Sequence, residues 1–465
     1  MNRRQFFKLG ASLGALAGAG AYAGSRLLPP DPSPDLGSIQ DLASRLVAGL
    51  DPELRRRACV EYDHPLRQYH NRGVGGGGLA VERRDFDPGQ RQLLVDLFHA
   101  GLSAAGRGRV ARQFFLGWPG VYATRLLICG DPRRPPYQVI FTGPHLNLRL
   151  GGASREGVAF GGPQVYGDQR GDGVPGVSRN VYRYQFEAGQ RLFRSLRAEE
   201  QRAALLPVAP IQTRIELQGP GGRFPGVPLA GVAPGSLALA RALVEGILEN
   251  YPADDVAYAR RCLERNGGLA ALHLSYYEEG ADAGRSEYPI FRLEGPAAVF
   301  HFRGHPHVHA FAHVAMDAGR PLGVGELLGV NPAPLEGEAV RRLFEDALRH
   351  HAGSDFAWYD PDSVVGGLRP GPVRTGDVYV LESWQNRVAV VDVKGSRLRE
   401  PFVEALRARG AELEPGRTYT IATTDYLADG RGAGVLGAVG SGNAGIPVRE
   451  AVVAYLKERG FPGGG

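Results

Sequence analysis

The sequence predicts an α+β protein of two domains, the first a mixed helix and strand domain and the second a smaller α/β domain. Its 465 residues, 43 % of them hydrophobic, are enough for about two or three buried cores. Runs with the helical spacing of apolar residues are interspersed with short runs of strand spacing. The turn-rich segment Asn331-Pro-Ala-Pro-Leu-Glu-Gly337 separates two such regions. We therefore predict a domain over 39–329, a linker over 330–337 and a second domain over 338–465.

Residues 1–23 have the layout of a twin-arginine-type signal peptide. Arg3 and Arg4 open a basic start, a weakly apolar run follows, and residues 21–23 (Ala-Tyr-Ala) form a small-x-small cleavage pattern. The apolar run is shorter than the roughly 20 residues of a membrane span. We expect a Pro-rich linker over 24–38 and an exported protein in the periplasm, the envelope or the medium. Its export partner would be the twin-arginine machinery, and no stable transmembrane span is expected.

Helices are predicted where apolar residues recur at helical spacing. Asp87 as N-cap and Pro88 in the first turn begin the best-defined helix, which we expect to end near Gly106. The other predicted helices cover 39–50, 187–206, 236–251, 254–266, 338–350 and 447–460.

Strands are predicted from alternating or short apolar runs. Between His145 and Leu150 the alternation is strict, so that His145, Asn147 and Arg149 share one face of a strand and the leucines share the other. The other predicted strands cover 137–142, 290–293, 298–301, 378–381, 388–393 and 418–423.

Charge and motif content exclude several function classes. The 54 Lys and Arg residues are nearly balanced by 49 Asp and Glu residues, and the sequence has no long basic run. No nucleic-acid partner is therefore expected. The glycine motifs at 432–437 and 440–445 do not follow a strand directly, which argues against dinucleotide binding. The G-x-S-x-G pattern of serine hydrolases occurs only at residues 10–14, within the predicted signal peptide, so it does not indicate a serine hydrolase.

A histidine cluster is the main candidate site. Five of the 12 histidines fall between His301 and His313. Residues two apart in a strand share a face, so His307 and His309 could hold one divalent metal ion together. We expect His145 as a further ligand and His301 as a possible fourth, with the metal identity open. The alternative is that these histidines are structural.

Several motifs resemble a family of exported bacterial proteins known only as a domain of unknown function (number thirty-five hundred). The matching stretches lie within about 61–329 and are Asp63-His-Pro-Leu-Arg67, Tyr69-His70, Pro88-Gly-Gln-Arg91, Gly143-Pro-His145-Leu-Asn-Leu148, Tyr288 to Phe302 and His307-Val-His309. Within these motifs we name His70, Arg67, Asn147 and Arg149 as candidates to surround and orient the metal ligands.

The chain departs from that family pattern at four positions. Pro144 stands where the family motif has the first of two histidines, and Arg149 where it tends to have Asn. His301 stands where the family usually has Glu, and Arg303 where it has Asp. If the family site combines carboxylates with histidines, the resemblance implies an altered site, with a different metal or lost activity as open alternatives.

The region from about 338 to 462 resembles the C-terminal domain of bacterial 5′-nucleotidases. The matching motifs are Gly366-Gly-Leu-Arg369, Gly376-Asp-Val-Tyr379, Ser383-Trp-Gln-Asn386 and Tyr419-Thr-Ile-Ala-Thr-Thr-Asp-Tyr426. The resemblance implies that Trp384 and Tyr426 stack on the base of a nucleoside-like ligand, with Arg369 and Asn386 as polar contacts. Core packing of the two aromatic rings is the alternative.

Three functions remain open from the sequence. The first is an exported metal-dependent enzyme, with a hydrolase as the class. The alternative is a non-catalytic envelope protein that binds a nucleoside-like or aromatic small molecule. The third is a divergent phosphoesterase, suggested by Gly304-His-Pro-His307 but opposed by the lack of the D-x-H and Asn-His motifs of a two-metal core.

Overall fold

The computed structural model describes residues 30–68, 77–115, 120–151, 157–168, 180–210, 217–281, 287–317, 323–364, 366–382, 384–430, 436 and 445–462. The predicted signal peptide, the first part of the predicted linker and His70 lie outside these ranges. The contacts divide the chain into two compact units, one ending at Gly323 and one beginning at Val324. In the described part of the chain, no helix has the length and apolar character that a membrane crossing requires.

The first unit contains helices α1 (Ile39–Gly49), α2 (Pro52–Ala58), α3 (Pro88–Ala100), α4 (Ala104–Phe115), α5 (Arg183–Ser195), α6 (Ala198–Ala204), α7 (Pro234–Leu248) and α8 (Ala253–Arg265). Its strands are β1 (Cys59–Val60), β2 (Leu79–Ala80), β3 (Arg125–Asp131), β4 (Arg134–Gly143), β5 (Leu146–Leu150), β6 (Gln164–Asp168), β7 (Leu205–Leu206), β8 (Val227–Pro228), β9 (His273–Tyr277), β10 (Ile290–Gly295), β11 (Ala298–Arg303) and β12 (Val308–Val314).

All of these strands belong to one sheet. Its order is β1-β3-β4-β5-β6-β12-β11-β10-β9-β7, with β2 on β3 and β8 on β9. Most neighbours are antiparallel, while β1 runs parallel to β3 and β7 parallel to β9. The central pairing joins β6 to β12, two strands about 140 residues apart in sequence, in the register Val308↔Asp168 and His309↔Gly167.

The pleat of the sheet separates an apolar face from a polar one. Along β12, Val308, Ala310 and Ala312 belong to the main hydrophobic core, where helices α3 and α7 pack. His309 and Phe311 alternate with them and project from the opposite face. We call this opposite side the polar face. It carries the buried polar side chains of the central strands: Gln138, Asn147, Arg149, Arg292 and His301.

Most predicted helices of this unit are confirmed, with two corrections. The helix capped by Asp87 ends at Ala100 instead of near Gly106, because a second helix, α4, begins at Ala104. The Ser103 hydroxyl accepts the Gly106 N–H at 3.0 Å and so starts α4. The single helix predicted over 187–206 is two helices, α5 and α6.

The second unit has helices α9 (Glu338–Ala352), α10 (Thr375–Leu381), α11 (Phe402–Arg407), α12 (Asp425–Ala428) and α13 (Val448–Arg459). Its strands are β13 (Leu327–Asn331), β14 (Leu335–Glu336), β15 (Phe356–Ala357), β16 (Gly367–Leu368), β17 (Gly371–Arg374), β18 (Val388–Lys394) and β19 (Thr418–Thr424). They form the pairs β13-β17 and β14-β16 and the three-stranded sheet β15-β19-β18.

Two sequence predictions need correction in the second unit. The strand predicted over 378–381 lies within helix α10, where the Asp377 carboxylate accepts the Arg374 N–H at 2.7 Å. A short apolar run does not distinguish strand from helix, so the periodicity could not decide. The predicted linker 330–337 contains the end of β13 and all of β14. Asn331 is buried there, and its Nδ2 donates to the Arg369 carbonyl at 2.9 Å.

Candidate metal centre

Three histidines converge at one end of the polar face. His309 lies on β12, and His307 immediately precedes that strand. His145 was expected on a strand but lies in the two-residue turn between β4 and β5, whose last cross-strand pair is Gly143↔Leu146. Only β6 lies between β5 and β12 in the sheet. The turn that precedes β5 can therefore bring His145 close to β12. We call His145, His307 and His309 the histidine triad.

The triad is compact enough for its members to share one ion. Each ring offers a nitrogen atom within 4.8 Å of those of the other two. The Nε2 atoms of His307 and His309 are 2.9 Å apart. The His145 ring meets these two rings edge-on, at centroid distances of 4.9 and 4.6 Å. Metal–imidazole bonds are about 2.0–2.1 Å long, so one ion can bind all three nitrogens after small side-chain movements.

The surroundings keep the triad in the neutral form that metal binding requires. Burial, followed by the proximity of His307, lowers the pKa of His145 to about 3. Burial and the neighbouring histidines lower the pKa of His309 well below its ordinary value. The pKa of His307 is lowered by burial and Arg303, against the opposing effect of the Asp168 carboxylate. Neutral imidazoles are the usual nitrogen ligands of Zn²⁺ and related ions.

Gly167 on β6 gives the triad its space and is a site residue that was not predicted from the sequence. Gly167 is paired with His309. A Cβ atom at this position would lie 2.2 Å from the Val308 carbonyl oxygen and 3.2 Å from the His145 Cβ. The available signal was a glycine inside the short segment Gln164 to Asp168, because a strand glycine often marks a close approach.

Asp168, the residue after Gly167, is the second site residue that was not predicted from the sequence. Its side chain is buried, and its Oδ2 accepts the Val181 N–H at 3.3 Å. Its carboxylate also acts electrostatically on His307. An aspartate at the end of a buried strand was the available signal.

The structure places His301, the predicted fourth ligand, outside the triad. His301 is fully buried on β11, and its ring stacks on Phe311 with centroids 4.9 Å apart. The cross-strand pairs are His301↔Phe311 and Arg303↔His309, so Arg303 occupies the place beside the triad. Burial, then Arg292 and Arg303, lowers the pKa of His301 well below its ordinary value.

Two of the other predicted supporting residues, Asn147 and Arg149, lie on β5, and Arg67 lies in a segment that contacts Arg149. Arg149 is buried, and its Nη1 donates to the Arg67 carbonyl at 2.8 Å and to Gln138 Oε1 at 3.1 Å. The Arg67 guanidinium lies 4.0 Å from the centre of the Tyr62 ring. Asn147 is buried, and its Nδ2 donates to the Pro163 carbonyl at 3.2 Å. A role of these residues in orienting metal ligands stays a prediction.

Trp384 and Tyr426, two of the predicted ligand-binding residues of the second unit, are brought to the same end of the strand pair β18–β19. Strand β18 begins where β19 ends, because Val388 pairs with Thr424. Trp384 precedes β18 and Tyr426 follows β19, and both side chains are partly buried. The Trp384 indole N–H donates to the Ser363 carbonyl at 3.0 Å. Stacking of the two rings on a base stays a prediction.

Asn386 and Arg369 differ in their surroundings. Asn386 is buried, whereas Arg369 is exposed. The buried carboxylate of Glu382, a residue not predicted from the sequence, accepts the Asn386 N–H at 3.1 Å. Its other oxygen accepts the Tyr359 hydroxyl at 3.1 Å. Glu382 therefore fixes the loop that carries Trp384 and Asn386.

A family model described as a protein of unknown function (DUF3500) matches residues 34–316. The chain belongs to the DUF3500 family. The match covers more than half of the chain and agrees with the resemblance of residues 61–329. The whole histidine triad lies inside the DUF3500 region, as do Gly167 and Asp168.

Other similarities are weaker. Endonuclease YhcR of Bacillus subtilis (strain 168) is 24 % identical over 172 residues, which cover 29 % of this chain and 14 % of that protein. The chain therefore spans about a seventh of that curated relative. A 5′-nucleotidase precursor from Thermus thermophilus has a TM-score of 0.27 and 16 % identity over 42 % of this chain and 52 % of its own. The Haemophilus influenzae NAD nucleotidase has a TM-score of 0.25 and 11 % identity over 41 % and 55 %.

Proposed function

We propose that the DUF3500 region binds one divalent transition-metal ion through His145, His307 and His309, and that the protein is an exported metal-dependent hydrolase. The observation that carries the proposal is the convergence of three imidazole nitrogens within 4.8 Å of one another. Two of the ligands are local to β12, while the third comes from a turn that the sheet brings alongside. Three protein ligands with a remaining open position are typical of catalytic zinc sites.

The side chains around the triad support hydrolysis. A metal ion held in this way would lower the pKa of a bound water and so supply a nucleophile at neutral pH. Arg303 is the cross-strand neighbour of His309, and its Nε donates to the His305 carbonyl at 2.7 Å. A fixed guanidinium beside the site favours substrates in which negative charge develops during the reaction. Arg303 and His309 both lie on the polar face, opposite the hydrophobic core.

Elemental analysis of the purified mature protein tests the metal. We expect near-stoichiometric metal in the wild type and a loss of at least about 90 % in His307→Ala, His309→Ala. The double variant His350→Ala, His351→Ala, at the end of α9 in the second unit, is the matched control and should keep the metal. A wild type that contains no metal and does not take up added Zn, Mn, Fe or Cu would exclude the metal site.

Substrate screening tests the hydrolase separately. The metal-loaded protein would be assayed with generic carboxylic and phosphoric esters, and activity should depend on His145. Hydrolysis of the phosphoric ester alone would support the phosphoesterase alternative. If the protein binds stoichiometric metal but hydrolyses none of the esters, the proposed metal site is supported and the proposed hydrolase activity is contradicted.

A non-catalytic binding protein is the second candidate, and one observation in the second unit favours it. In the described part of the chain, the Nδ2 atom of buried Asn386 has no hydrogen-bond partner, although it lies two residues from Trp384. A buried amide without a partner is costly unless a ligand or water completes its hydrogen bonds. Titration of Trp384 fluorescence with adenosine, with Trp384→Phe as the reference for the other tryptophans, tests this candidate. An unchanged signal up to about 5 mM adenosine would exclude nucleoside binding at this loop.

A further inference from the structure

A groove lies on the helical side of the first unit, between α4 and α5. Its volume is about 600 Å³, within the range of about 300–1,000 Å³ that small-molecule sites occupy. Ala105 and Gly108 on α4 leave room for it, since a Cβ atom at Gly108 would meet nothing within 4 Å. Arg109 and Arg112 line the α4 side, and Arg183 lines the α5 side.

The three guanidiniums of the groove differ in their partners. Arg183 Nε donates to Glu187, which also lines the groove, at 2.8 Å. Arg109 pairs with Glu249 and donates to Asn250 Oδ1 at 3.0 Å. Arg112 is exposed and makes no hydrogen bond or ion pair with the residues that the structure describes. The groove therefore has more positive than negative side chains.

One wall of the groove is rigid. The Arg109 guanidinium stacks over the Tyr184 ring at 4.4 Å from its centre, and the Tyr184 hydroxyl donates to the Gly246 carbonyl at 2.8 Å. Asn180 and Val181, which form the floor of the groove, are also held in place. The Val181 N–H donates to Asp168, and buried Asn180 accepts the Tyr182 N–H at 2.8 Å. A preformed wall and floor lower the entropy cost of binding a small ligand.

We propose that this groove binds a small organic anion, with phosphate or carboxylate groups held by Arg112 and Arg183 and its remainder lying against the Arg109–Tyr184 stack. Guanidinium groups match both oxyanions, since their planar forks donate two parallel hydrogen bonds to either. The proposal uses none of the triad residues, so it stands independently of the metal site.

Calorimetric titration of the full-length mature protein with pyrophosphate and with citrate, at constant ionic strength, tests the groove. We expect saturable binding of at least one of them, with the stronger ligand showing which anionic group the groove prefers. Arg112→Gln, Arg183→Gln should weaken that binding by about tenfold or more, because two charge-assisted contacts are lost. Arg112→Lys, Arg183→Lys keeps the charge and should weaken it less.

Two controls separate the groove from other sources of binding. Arg202→Gln, Arg241→Gln removes the same charge from exposed positions of α6 and α7 outside the groove and should bind within about twofold of the wild type. His307→Ala, His309→Ala should bind equally, which excludes the triad. The proposal is overturned if neither anion binds at about 10 mM, if the two Arg→Gln doubles weaken binding equally, or if binding disappears with the triad.

Discussion

The imidazole of His301 is buried beside an aromatic ring and two positively charged side chains. In the described part of the chain neither ring nitrogen has a hydrogen-bond partner, and the ring stacks on Phe311. Arg292 and Arg303 add positive charge nearby, and burial is the larger cause of its lowered pKa. The native protein therefore holds His301 neutral, while the same residue in an unfolded chain has a pKa of about 6.5.

We expect His301→Leu to increase the free energy of unfolding, by about 1 kcal/mol at pH 7.5 and by more at pH 5.5. Below a pH of about 6.5 the unfolded wild type takes up a proton that the native state does not bind. Its stability therefore falls on acidification, by up to about 1.4 kcal/mol per pH unit, and this loss is absent in the variant. Urea unfolding at both pH values measures the difference. A variant less stable than the wild type at both would show that the ring nitrogens do have partners.

Gly167 is predicted to be necessary for the triad geometry. In Gly167→Ala the new Cβ atom would collide with the Val308 carbonyl oxygen, because the two are separated by only 2.2 Å. We expect a loss of about 2–4 kcal/mol in stability and weaker metal binding by tenfold or more. Metal titration and urea unfolding measure both effects. Gly235→Ala, where a Cβ atom has open space, is the control, and equal losses in the two variants would contradict the prediction.

Among the secondary-structure elements, helix α3 depends on its first turn. The Asp87 carboxylate accepts the Gln90 N–H at 2.8 Å, and the Gln90 side chain accepts the Asp87 N–H at 2.9 Å. This reciprocal pair satisfies two N–H groups that would otherwise lack partners at the helix start.

Asp87→Ala should therefore lower the free energy of unfolding by about 1 kcal/mol. Asp254→Ala, an exposed acidic residue in the first turn of α8, should change it by less than about 0.5 kcal/mol. Thermal unfolding of the two variants gives the comparison. An Asp87→Ala protein as stable as the wild type would mean that water replaces the cap without cost.

Elements with a local signal were predictable, and those fixed by distant pairing were not. The capping residues and apolar stripe of α3 lie within one short segment, so its start was predicted correctly. The apolar run within α10 was too short to reveal its type. The triad depends on the pairing of β6 with β12 and on a turn between β4 and β5. Spacing along the chain indicated His307 and His309, but gave no signal that His301 would face Phe311.

For the whole molecule, the two compact units predict separate responses to metal. An ion that binds only the folded first unit stabilises that unit by mass action. We expect calorimetry of the metal-loaded protein to show two transitions, one of which falls by about 5 °C or more after treatment with EDTA. The same treatment should leave both transitions of His307→Ala, His309→Ala unchanged. Equal shifts of both wild-type transitions would contradict a site confined to the first unit.

Export is the second prediction at this scale, and it rests on sequence alone, since residues 1–23 lie outside the described ranges. Arg3→Lys, Arg4→Lys conserves charge but removes the arginine pair. We expect the variant to accumulate inside the cell, whereas Lys8→Arg is exported normally. Fractionation and immunoblotting distinguish the compartments. Normal export of the Lys pair would refute the twin-arginine assignment.

The division of the sheet into two faces has an evolutionary consequence. Three positions at which the resemblance to the family implies a departure from its pattern, Arg149, His301 and Arg303, lie on the polar face, and none belongs to the hydrophobic core. A lineage can therefore accumulate changes of ligand or substrate on one side of the sheet while the other side preserves a foldable protein. Members of such a family can diverge in chemistry long before they diverge in architecture.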